Sequence, residues 1–131
     1  MGLDMYLNSL KDKKEIEQIG YWRKANQIRS WFDNYGVSKN YHHDKGKYNN
    51  GQWDILPLSK ESLLRLKSTI NVVIDDQQKA SELLPTSDGF FFGGTEYDEG
   101  YFEDLNNTLD IIDKALKEID SGNIVYYSEW Y

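Results

Sequence analysis

Leu3-Asp4-Met5-Tyr6-Leu7 alternates apolar and polar residues, the period-two pattern of a half-buried strand, and a lysine-rich turn through Lys11, Lys13 and Lys14 follows it. From Gly20 the period lengthens. Tyr21, Ala25, Ile28, Phe32 and Tyr35 recur at steps of four and three, which predicts a helix beginning at Gly20 and stopped by Gly36. Residues 37–51 are polar, rich in Asn, Lys and Gly and without periodicity, and read as a loop or irregular hairpin.

Trp53-Asp54-Ile55-Leu56 predicts a short strand ended by Pro57, and Ser59 is placed to cap a helix beginning at Lys60 whose buried stripe is Leu63, Leu66, Ile70 and Val73. Residues 78–84 predict a last helical turn before Pro85, which cannot continue a helix. Gly89-Phe90-Phe91-Phe92-Gly93-Gly94 reads as strand and turn. Tyr101, Leu105, Leu109, Ile112, Leu116 and Ile119 predict a long third helix, with Asp98 or Glu99 at its start and Gly122 at its end. Ile124–Trp130 closes the pattern as a strand. Helices interleaved with short strands predict an α+β fold, a single domain over 1–131 with a small, mostly antiparallel sheet packed against about three helices.

Composition agrees with a folded chain: 131 residues, 39% hydrophobic and 15% aromatic, with two prolines. No cysteine is present, which excludes disulfides, Cys-type zinc fingers, iron–sulfur clusters and thiol nucleophiles. No apolar run reaches the length of a membrane span, and the first residues lack a basic leader pattern, so a soluble cytoplasmic protein without a membrane partner is expected.

Charge changes the picture. The net charge is −7, yet residues 1–74 carry +4 and residues 75–131 carry −11. An acidic surface repels DNA, RNA and anionic lipid, so these charges read either as a surface for a basic protein or as a solvated helix face kept acidic for solubility.

Candidate chemistry is sparse. His42 and His43, followed by Asp44, offer imidazole and carboxylate ligands for a possible zinc ion, although no HExxH or His-x-His spacing supports the set. Tyr21-Trp22-Arg23-Lys24, with Arg29 beyond, interleaves aromatic and basic residues; it reads either as a nucleotide patch or as partly buried tryptophans whose arginines pair with acidic residues of the C-terminal half. Gly93-Gly94 has no P-loop or Gly-x-Gly-x-x-Gly context. Glu96, Asp98, Glu99, Glu103 and Asp104 gather at a helix start, where the helix dipole favours carboxylates, but no nucleophile accompanies them and no catalytic residue is assigned.

Three stretches, Gly2-Leu3-Asp4-Met5-Tyr6-Leu7, Tyr21-Trp22-Arg23-Lys24-Ala25-Asn26 with Ile28 and Trp31-Phe32, and Leu83-Leu84-Pro85-Thr86 followed by Gly89-Phe90-Phe91-Phe92-Gly93, Tyr97-Asp98 and Tyr101, together resemble a family of small bacteriophage and prophage proteins. Members often carry a histidine directly after the isoleucine of the first-helix motif; this chain has Arg29 there. The resemblance implies a phage setting, in which small acidic proteins antagonise host defence and include inhibitors of Cas9, whose guide and target lie in a basic channel. The expectation is a non-enzymatic inhibitor, in the bacterial cytoplasm, of a basic nucleic-acid-handling host effector such as Cas9. Its contact surface would be Glu99, Glu103, Asp104, Asp110 and Asp113. The alternative is a small-molecule or nucleotide pocket lined by Asp4, Tyr6, Trp22, Arg23, Asn26 and Tyr97. A third reading is an accessory subunit whose main property is self-association.

Overall fold

The computed structural model describes residues 2–43, 46–88 and 94–131. The opening alternation runs further than Leu7: β1 spans Asp4–Lys11, and Asp12 and Lys13 take left-handed backbone conformations in a tight turn closed by Lys14 N–H to the Lys11 carbonyl at 3.0 Å. The chain then returns as β2, Glu15–Arg23, paired antiparallel with β1. The helix expected from Gly20 therefore begins later. It is α1, Asn26–Ser38, and Gly20 to Arg23 are extended. The reason is packing: Trp22 is 2% exposed and points inward while Tyr21 and Arg23 face outward, a strand alternation that a helix would destroy. Lys24, with φ 56, turns the chain from strand into helix.

Next come β3, Lys47–Asn49, inside the polar region read as a loop or irregular hairpin, and β4, Gln52–Leu58, which includes the strand expected at Trp53–Leu56; the two pair antiparallel. Pro57 does not end its strand. It pairs with Tyr126 past the end of β3, on the stretch of β4 that has no second partner strand among the described residues, where a missing N–H is tolerated. Ser59 caps α2, Lys60–Asp75, in a reciprocal box with Ser62, and Leu63, Leu66, Ile70 and Val73 are all buried. A 3-10 turn, Gln77–Lys79, and the short α3, Ala80–Leu83, form the turn predicted before Pro85.

The longest helix, α4, spans Glu99–Asp120 with Asp98 as its cap, and Gly122 follows at φ 90, a conformation that suits glycine. Its fully buried positions are Tyr101, Leu105, Thr108, Ile111, Ile112 and Ala115; Leu109, Leu116 and Ile119 of the expected stripe are only half-buried. The last strand is β5, Ile124–Trp130. Strand order is β2-β1-β5-β4-β3, antiparallel throughout, so the α+β expectation holds. The strand and turn expected at Gly89–Gly94 lie almost wholly outside the described residues.

The helices cover one face of the sheet. Leu3 just before β1, Met5 and Leu7 of β1, Trp22 of β2 and Val125 and Tyr127 of β5 enter the core there, where Phe32 of α1 stacks on Tyr127 at 4.3 Å. Each such side chain stabilises the fold by roughly 1.5–3 kcal/mol. Gly20 lets α4 approach β2 closely, because a Cβ at this position would collide with Ile111.

Candidate functional site

The end of β2, the start of α1, the segments flanking residues 89–93 and the start of α4 enclose a polar cleft of about 270 Å³. Its walls are held by hydrogen bonds within the chain. Asn26 and Gln27, the first two residues of α1, are buried polar side chains that need partners. Asn26 finds them at both ends of the adjoining segment: its amide nitrogen donates to Gly94 O at 2.8 Å, and its oxygen accepts from Ser87 N at 2.9 Å. Gln27 donates to the Tyr101 carbonyl at 3.3 Å. Tyr101 in turn donates its hydroxyl to Leu84 O at 2.7 Å, and Thr86 N donates to the Tyr97 hydroxyl at 3.2 Å. Burial pushes the Tyr101 phenol well above its ordinary range, so it stays a neutral donor.

Among the described residues, four carboxylates, Glu96, Asp98, Glu103 and Asp104, line this cleft against one cation, Lys24. Asp98 spends one oxygen on capping α4, accepting from Tyr101 N at 3.1 Å. Asp104 is the unusual member: burial raises its carboxyl to about 6, opposed by a hydrogen bond from Gln27 and reinforced by Glu103 and Asp98. The arrangement therefore holds a dense negative charge that one carboxyl modulates near neutrality.

The five acidic residues expected to form one surface divide between directions. Glu99, Glu103 and Asp110 are exposed and recur at helical spacing along one outer row of α4. Asp104 turns toward Gln27, and Asp113 is engaged by Lys67 of α2 at 2.8 Å. The alternative pocket of Asp4, Tyr6, Trp22, Arg23, Asn26 and Tyr97 does not assemble. Asp4 accepts from the Tyr21 hydroxyl at 2.5 Å and from Arg23 at 2.7 Å, and Tyr6 packs on Tyr21, all on the sheet face away from the helices. Trp22 lies in the core on the other side, its indole N–H bonded to Thr108 at 2.8 Å, while Asn26 and Tyr97 stand at the cleft.

His42 stacks on Tyr48 at 4.0 Å and lies 4.8 Å from Trp53, with its Nε2 buried and unpaired among the described residues; His43 is exposed, with its ring 6.4 Å from that of His42. Asp44 lies outside the described residues. Among the described residues no group of three His, Asp or Glu side chains is arranged to hold a metal ion. Arg29 forms a buried pair with Glu129, the C-terminal partner anticipated for it, whereas Arg23 pairs with Asp4 near the other end of the chain.

Gln27, Thr86, Glu96 and Asp98 had no place in either expected residue set as cleft walls, although the clustering of acidic residues at the start of α4 pointed to this region. The stretches from Leu83 to Thr86 and from Tyr97 to Tyr101 are bonded to each other here through Thr86 and Tyr101, and Asn26 reaches Ser87, the residue after the first of them. Comparison with protein-family models, with curated protein sequences and with solved structures yields no match.

Proposed function

We propose that this chain is a non-enzymatic binding protein of phage or prophage origin that takes a basic segment of a host protein into the acidic cleft at the start of α4. The observation that carries the reading is the set of four carboxylates to one lysine, around a volume that suits a single arginine or lysine side chain. A guanidinium finds carboxylate oxygens to bridge, and two of them are oriented by the chain itself, Asp98 by the Tyr101 backbone N–H and Asp104 by Gln27. Glu99 and Asp110, in one outer row with the cleft residue Glu103, extend the negative field beyond the cleft and speed encounter with a basic partner. Nucleic-acid-handling effectors present such basic surfaces, and a Cas9-type effector is the specific candidate; occupation of its basic channel would block nucleic-acid loading.

The test is calorimetric titration with a synthetic arginine-rich peptide at low and high salt. Binding that weakens with salt, and at least about tenfold in a Glu103→Gln/Asp104→Asn double variant, supports the reading. Equal affinity in the variant contradicts it. Free arginine that binds as tightly as the peptide would redirect the proposal to a small cationic ligand.

A further inference from the structure

The sheet face turned away from the helices gathers apolar and aromatic residues from three strands. Ile16, Tyr21, Ile124 and Trp130 are 62%, 42%, 49% and 65% exposed, and strand alternation places all four on it. Tyr6 and Leu10 of β1 sit between them, paired across strands with Tyr21 and Ile16 on one side. An antiparallel sheet with one solvated face normally alternates apolar with polar residues, so an apolar and aromatic outer face marks a surface that is covered by something.

We propose that two copies of this chain pack on each other through this face, sheet to sheet, about a two-fold axis. Charge selects the occupant. On β2, β1 and β5 the charged residues of this face are Asp4 and Arg23, which neutralise each other at 2.7 Å, so two chains of net charge −7 meet here with little local repulsion. The same neutrality disfavours a nucleic-acid strand, whose phosphates need uncompensated cations beside the aromatic platform.

The pattern is also self-complementary. Asn8 pairs with Gln18 on one side and Tyr126 on the other, a central polar row flanked by Tyr6 and Tyr21 toward one end and by Leu10 and Ile16 toward the other. A two-fold axis running across the strands at Asn8 sets the tyrosines of one copy over the aliphatic residues of the second. Each amide meets its own equivalent, which suits a group that both donates and accepts, and the Asp4–Arg23 pair stays at the wet rim. Sheets stacked in this way lie about 10 Å apart. None of these sheet-face residues lines the cleft, so the two surfaces are separate.

Sedimentation velocity and light scattering over a range of concentrations test it. The expected result is a species of twice 15.4 kDa that dissociates on dilution. Ile16→Glu and Ile124→Glu, both at exposed positions, should each weaken association at least about tenfold with unchanged far-ultraviolet circular dichroism. Val72→Glu, an exposed apolar position on α2, should leave it intact. A mass of 15.4 kDa at every concentration overturns the proposal, as does a dimer that both sheet-face variants leave unchanged.

Discussion

Arg29 on α1 and Glu129 on β5 form a two-pronged ion pair, with Nε and Nη2 each 3.1 Å from one carboxylate oxygen. The Glu129 side chain is wholly buried and also accepts from the Trp53 backbone N–H at 3.1 Å and the Tyr127 hydroxyl at 2.7 Å. One carboxylate thus joins α1, β4 and β5. Removing either partner strands a charge in the core, and Glu129→Ala should destabilise the fold by about 3–5 kcal/mol in urea unfolding. An Arg29→Leu/Glu129→Leu double variant should cost less than that single change.

Trp22 and Thr108 link β2 to α4. Thr108→Val keeps the shape but leaves the indole N–H without its acceptor, because the Thr108 hydroxyl accepts from Trp22 while donating to the Asp104 carbonyl. The expected loss is about 1–3 kcal/mol by chemical denaturation, with secondary structure unchanged.

Asn26 works as a clasp on the chain between α3 and α4. Asn26→Ala removes the acceptor of Ser87 N–H and the donor to Gly94 O, at modest cost to global stability because both groups lie near water. Its signature is local. Hydrogen exchange at the Ser87 amide should accelerate about tenfold or more while core amides of β1 and β5 keep their protection.

Asp104 gives the protein a pH response with a definite sign. Its carboxyl titrates at about 6 when folded and near 3.9 when unfolded, so between these values the native state holds more protons and stability falls as pH rises. The deficit is complete above about 6 and absent below about 4. Asp104→Asn should therefore stabilise the protein at pH 8 by on the order of 1 kcal/mol, after allowance for solvent screening, or about 3–4 °C in thermal melts. At pH 4 the two proteins should melt alike.

Much of the fold was legible in the pattern of residues. The stripe of α2 and its Ser59 cap were readable because propensity, capping and periodicity agree there. β2 was hidden by a bulge: Leu7 pairs with Gly20 but Asn8 pairs with Gln18, so Ile19 is an extra residue that breaks the alternation by which a strand is recognised. With that signal gone, the spacing from Tyr21 to Tyr35 imitated a helix longer than the real one. The site was legible only in its charge. Carboxylates at a helix start were evident, but the cleft depends on Asn26 and Gln27 meeting residues some 60 to 75 positions away, and no local pattern encodes that contact.

Nuclear magnetic resonance titration of ¹⁵N-labelled protein with an arginine-rich peptide shows whether the cleft receives a basic side chain. Shifts are expected to concentrate in the side-chain amides of Asn26 and Gln27 and the backbone amides of Gly94 and Gly100, which line the cleft. They should weaken as pH falls through about 6 and Asp104 is neutralised. Shifts that spare these four residues, or that persist unchanged in the Glu103→Gln/Asp104→Asn variant, would contradict it.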